Sequence, residues 1–196
     1  MGILCENAIS NAIKAFLDGN SEYAKKAIKE DKVIDEKEKT IEHQCLRLLL
    51  QQQPVAKDLR VISSALKMIT DIERIGDQAS DIAELSRYTT AMDIPNSEHI
   101  KLMARESVKM VNDSIKSFVK QDLDLANSVI AYDDVVDALF CTVKSDIINL
   151  LKEGIYNAEV VIDTLMITKY LERIADHATN IAEWVVFSIT GNHEEG

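Results

Sequence analysis

Apolar residues towards the end of the chain fall on one helical stripe: Ile167, Leu171, Ile174, Ala178, Ile181 and Val185 are separated by alternating steps of four and three. Such steps mark the seam of a helix bundle, not the two-residue alternation of a half-buried strand. The same steps run through Met68, Ile72, Ile75, Ala79 and Ile82, and through Ala126, Val129, Asp133, Val136, Phe140, Val143, Ile147 and Leu150. A fourth stripe carries Ala24, Ala27, Asp31, Ile34, Ile41, Cys45 and Leu48. Stop signals fall at Gly19-Asn20, Pro54, Pro95, Gly154 and Gly191, with helical spacing between them. The pattern predicts an all-α chain with helices at about 3–18, 21–52, 55–90, 97–120, 123–153 and 157–189. Pro54 suits a first helical turn, and Pro95, Asn96 and Ser97 supply a stop followed by a new cap.

These helices form two copies of one unit. Glu73 to Glu84 reads ERIGDQASDIAE and Glu172 to Glu183 reads ERIADHATNIAE, identical at eight of twelve positions with an offset of 99. Further upstream the offset is 102, pairing Phe16 with Phe118, Ala24 with Ala126, and Val33-Ile34-Asp35 with Val135-Val136-Asp137. The three-residue difference is expected in the loop between the second and third helices. A first three-helix bundle over 1–92 and a second over 97–190 follow, each burying stripes internally and against its twin.

Two carboxylates stand on otherwise apolar stripes, Asp31 and its twin Asp133. An isolated charge there costs several kcal/mol, so each is expected at the bundle edge, protonated, or held by a cation. Each has a second Asp one turn on, Asp35 and Asp137, and the third helix of each repeat repeats the device with Glu73 and Asp77, and Glu172 and Asp176. Helices folded back at Pro54 set Asp35 level with Glu73 and Asp31 level with Asp77. A turn at Gly154 does the same for Asp137 with Glu172 and Asp133 with Asp176. Four carboxylates then converge twice, and multivalent cations with a taste for oxygen, such as magnesium, manganese, calcium or iron, would relieve the repulsion. The competing reading is an ordinary solvated acidic face. Arg74 is expected to pair with Asp71 and Arg173 with Asp176. His177 is expected at the surface or in a hydrogen bond, because its twin is Gln78. Gly76, whose twin is Ala175, is expected to permit close helix contact.

Composition narrows the function. Glycine and proline total only eight residues, too few for the turns of a sandwich or barrel. A net charge of -11 without basic clusters argues against nucleic-acid binding. Cys5, Cys45 and Cys141 are odd in number and scattered, no charged-then-apolar leader is seen, and Glu6 spoils a myristoylation pattern after Gly2. No apolar run approaches the roughly 20 residues that span a bilayer. The expectation is a cytoplasmic protein without direct membrane insertion. A di-iron carboxylate oxidase would need Glu-x-x-His pairs, but Thr40, Asn96, Ile174 and Thr190 precede His43, His99, His177 and His193 by three. Phosphate loops, dinucleotide fingerprints and Ser-His or Cys-His nucleophile pairs are missing as well, so enzymatic activity is not expected. A regulatory metal-binding adaptor and an inert helical module remain.

QQPVAKDLR from Gln52 to Arg60, DIERIGDQASDIAE from Asp71 and YLERIADHATNIAE from Tyr170, set on two three-helix repeats, resemble the PhoU family of phosphate-transport regulators over nearly the whole chain. The resemblance implies tandem bundles whose acidic motifs bind multinuclear clusters of iron, zinc, manganese or magnesium, and frequent homodimers. It implies negative control of phosphate uptake and signalling through the ATPase of a Pst-type transporter and a PhoR-type sensor kinase. An accessory of another phosphate transporter type is the alternative within that reading, and oxidase-like di-metal chemistry the alternative outside it. Carried over residue by residue, Glu73, Asp77, Glu172 and Asp176 match the third-helix motifs, and Asp31, Asp35, Asp133 and Asp137 the second-helix ones. Gln78 departs from the pattern and puts equal occupancy of two sites in question. Met1 aligns with Met103, so the first helix is short and leaves part of its neighbour's stripe uncovered, an edge suited to a dimer or partner surface.

Overall fold

Among the described residues, left-handed backbone ends four of six helices: Gly19 (φ 65°), Gln121 (φ 53°), Gly154 (φ 69°) and Gly191 (φ 81°). The computed structural model describes residues 1–52, 55–91, 94 and 97–192. Its helices are α1 (Gly2–Asp18), α2 (Ser21–Gln52), α3 (Ala56–Leu85), α4 (Glu98–Lys120), α5 (Leu123–Glu153) and α6 (Ala158–Thr190). Pro54, Pro95, Asn96 and His193 lie outside the described residues. Asp122 caps α5 by accepting from the Leu125 N–H (3.0 Å), and Asn157 caps α6 by accepting from the Glu159 N–H (2.9 Å).

Gln121 occupies the repeat position of Gly19, and its left-handed φ carries the steric cost that glycine avoids. Its backbone N–H bonds the Phe118 carbonyl and the next N–H bonds that of Ser117. Gln121→Gly is therefore expected to stabilise the protein by about 0.5–1 kcal/mol. Urea unfolding with an unchanged slope would measure it.

α3 and α6 are the central pair, running antiparallel, with α2 flanking α3 and α5 flanking α6. α1 and α4 complete the two triplets and also touch one another. A single apolar cluster joins both repeats, so the twins share one core. Every residue of the α6 stripe is buried, and so are its α3 counterparts.

Two features differ from the sequence reading. α3 ends at Leu85 instead of running to 90: the N–H groups of Arg87 and Tyr88 turn to the carbonyls three residues back, Glu84 and Leu85, in place of the α-helical four, and Thr89 is buried. The offset difference sits in the helical arm, not the loop: α3 begins about one turn further ahead of the ERI motif than α6 does. The α2 stripe is buried only through its first half and again at Cys45, with Leu48 38% exposed. α1 has 17 residues against 32 in α2, so it covers only about half the length. Leu46, Leu50, Val55 and Leu59 consequently stay exposed at the tip of the α2–α3 hairpin. Cys5, Cys45 and Cys141 are free thiols, and burial pushes that of Cys5 up to about 12.

Candidate metal centre

The α2–α3 hairpin brings Asp31, Asp35 and Asp77 together, with one carboxylate oxygen of each within 4.8 Å of the others. The α5–α6 hairpin does the same for Asp137, Glu172 and Asp176. Levels counted from the two turns therefore meet in space. Glu73 and Asp133 are near their groups but outside that radius. Glu73 leans to Arg74 (3.5 Å), and its charge still reaches Asp77 and Asp35. Asp133 shares a side-chain hydrogen bond with Thr179, and its charge is felt by Asp176.

Burial, then the neighbouring Asp35 and Asp77, push the Asp31 carboxyl up to about 6. Burial, then Glu172 and Asp133, do the same for Asp176. Glu73 and Asp133 are also raised, chiefly by burial and then by the acid one turn away. One oxygen each of Asp31, Asp35 and Asp133 is buried without a hydrogen-bond partner. Partnerless buried carboxylate oxygens beside like charges are costly unless a proton or a cation meets them. An all-oxygen donor set of this kind fits hard cations.

Several participants could not be read from the sequence. Ser80 hydrogen-bonds Asp31 as Thr179 does Asp133, and the two hydroxyls are repeat equivalents. Their positions inside the duplicated motif were the available signal. Lys169 forms a close ion pair with Glu172, though its twin is Thr70. Arg74 pairs with Asp77 (3.0 Å) and Glu73, not with Asp71 as expected. Arg173 places its charge near Asp81 across the repeat interface, beside Tyr170 of its own helix, instead of serving Asp176. Asp71 is taken by the other repeat: His177 donates from Nδ1 (2.9 Å) and Asn180 from Nδ2 (3.2 Å). Tyr170, the twin of Asp71, hydrogen-bonds Asp81, the twin of Asn180, so one antiparallel register is fastened twice by different chemistry. His177 thus joins the repeats.

Gly76 has a specific task. A Cβ there would lie 2.9 Å from Asp31 Oδ1 and 3.1 Å from Ile34 Cδ1. The second repeat carries that Cβ at Ala175, and there Asp133 stands outside the tight group. The two carboxylate groups are related by duplication but differ in composition.

The PhoU domain matches the chain twice, over residues 1–86 and 100–185. This chain belongs to the PhoU family. It is 35% identical over 193 residues to the phosphate-specific transport system accessory protein PhoU homolog of Clostridium acetobutylicum, covering 97% of this chain and 88% of that one. The corresponding homolog of Pseudomonas aeruginosa is 34% identical, with 97% and 80% covered. The fold matches the crystal structure of PhoU from Pseudomonas aeruginosa with a TM-score of 0.92 at 32% identity, over 97% of this chain and 92% of that one. It also matches the phosphate transport system regulatory protein PhoU from Streptococcus pneumoniae, with a TM-score of 0.88 at 28% identity, over 100% and 92%. The tandem all-α bundles expected from the PhoU resemblance are the fold observed. Among the described residues no helix is long and apolar enough to cross a membrane.

Proposed function

We propose that this PhoU-family protein is a metal-binding accessory that represses phosphate uptake, acting from the cytoplasm on a Pst-type transporter ATPase and a PhoR-type sensor kinase. The observation that carries this reading is the pair of duplicated carboxylate groups, with buried partnerless oxygens on Asp31, Asp35 and the neighbouring Asp133, in a chain whose relatives are named phosphate-specific transport system accessory proteins. Asp31, Asp35 and Asp77, supported by Glu73, would hold one metal site, and Asp137, Glu172 and Asp176, supported by Asp133, the other. The donor set favours iron, manganese or magnesium over zinc, which prefers nitrogen and sulfur ligands. Bound cations would neutralise the two faces of a strongly acidic chain, so occupancy changes the charge presented to partners. The uncovered apolar tip of the α2–α3 hairpin suits a homodimer contact.

Deleting the gene in its host is expected to derepress phosphate uptake at high phosphate. Glu172→Gln with Asp176→Asn should complement poorly while remaining folded. Unchanged uptake and unchanged phosphate-starvation gene expression in the deletion strain would overturn the regulator reading. Gly76→Ala tests the metal half separately, because its Cβ displaces the Asp31 carboxylate. Calorimetric titration with Mn²⁺ should show about tenfold weaker binding at the first site alone, a change of about 1.4 kcal/mol. Equal weakening at both sites would refute that geometry.

A further inference from the structure

α1 and α4 run antiparallel but not evenly. At one end a Cβ on Gly2 would lie 2.9 Å from Ile115 Cδ1, and Asn112 donates to Glu6 (3.4 Å). Towards the other end the helices leave a groove of about 340 Å³ between residues 10–17 and 101–108. Ile13 and Leu17 form one apolar wall, Ala104 and Val108 the other. Lys14, Lys101 and Arg105 stand around it, and no acidic side chain is among the described residues that line it. That is unusual for a chain with 33 acidic and 22 basic residues. Lys101 pairs with Glu98 (2.7 Å) at the surface, where such pairs exchange at little cost. Arg105 holds Glu106 (2.6 Å) with its Nε and one terminal nitrogen, while its side chain stays 73% exposed. Lys14 lies 5.8 Å from the Tyr23 ring centroid, with no ion pair among those found for the described residues.

We propose that this groove is a docking site for a short amphipathic helix of a partner protein, apolar on one side and flanked by Asp and Glu. The apolar walls extend for about two helical turns, which suits a segment with anchors at i, i+3 or i+4, and i+7. Carboxylates beside those anchors meet the three cations, and the acidic remainder of the surface repels the same segment elsewhere. Repulsion between two whole chains that each carry a net charge of -11 disfavours a second copy as the occupant. The surface lies on α1 and α4, away from the carboxylate groups on α2–α3 and α5–α6, so this proposal stands independently of the metal reading.

The test places photoreactive benzoylphenylalanine at Ser10, which lines the groove, in the full-length protein in its host. Mass spectrometry should map the crosslink to a helical segment of net negative charge in another protein. Lys14→Glu combined with Lys101→Glu should lower that yield at least tenfold, with circular dichroism and melting temperature unchanged. A crosslink to phospholipid, to a second copy, or to nothing overturns the proposal, as does a yield indifferent to the charge reversal.

Discussion

Replacing Asp31, Asp35 and Asp77 by Asn and Glu73 by Gln is expected to halve both the metal bound and the rise in melting temperature that metal produces. A ligand that binds only the folded state, at a hundredfold excess over its Kd, stabilises by about 2.7 kcal/mol per site. For a chain of this length that corresponds to roughly 5–10 °C per site. Without metal the variant should melt higher than the parent, because the substitutions remove crowded carboxylates whose buried oxygens have no partner. Elemental analysis and thermal melts with and without Mn²⁺ read both effects. Full stoichiometry and an undiminished shift would show that the first carboxylate group holds no metal.

The second large effect is the response of metal-free protein to pH. Asp31 and Asp176 are held at about 6 in the fold against an ordinary 3.8. The folded chain therefore binds their protons more tightly than the unfolded chain does. The stability this contributes is fully present below pH 3.8 and lost as pH rises through about 6. Because both side chains are partly solvated, solvent screening reduces each contribution to about 1–2 kcal/mol. Raising the pH from 4.5 to 7 should then lower the melting temperature by about 5–10 °C. Asp31→Asn with Asp176→Asn should flatten most of that slope. Adding Mn²⁺ should restore stability at pH 7, since the cation takes the place of the protons. A melting temperature that climbs between pH 5 and 7 would contradict the assigned carboxylate environments.

The extent to which the site was legible follows from its being helical. A residue's height along an antiparallel hairpin is a matter of counting, so Asp31 with Asp77 and Asp137 with Glu172 could be brought together from their distances to the turns alone. Counting cannot set side-chain direction. It missed that Glu73 turns to Arg74, that Lys169 reaches Glu172, and that Asp71 belongs to His177 and Asn180 of the other repeat. Such pairings depend on rotamers and on residues about a hundred positions away.

The amino-acid sequence by itself determined the six helices, their grouping into two triplets and the two acidic levels, because helical period and duplication are local, repeated signals. Only the tertiary structure decided how the triplets meet: α3 lies antiparallel on α6, and α1 and α4 diverge into a basic-rimmed groove. It also decided that a missing Cβ at Gly76 lets Asp31 into its group while Ala175 accompanies an outlying Asp133. These features arise from packing between elements distant in the chain, where a contact of a few ångströms has no periodic trace in the sequence.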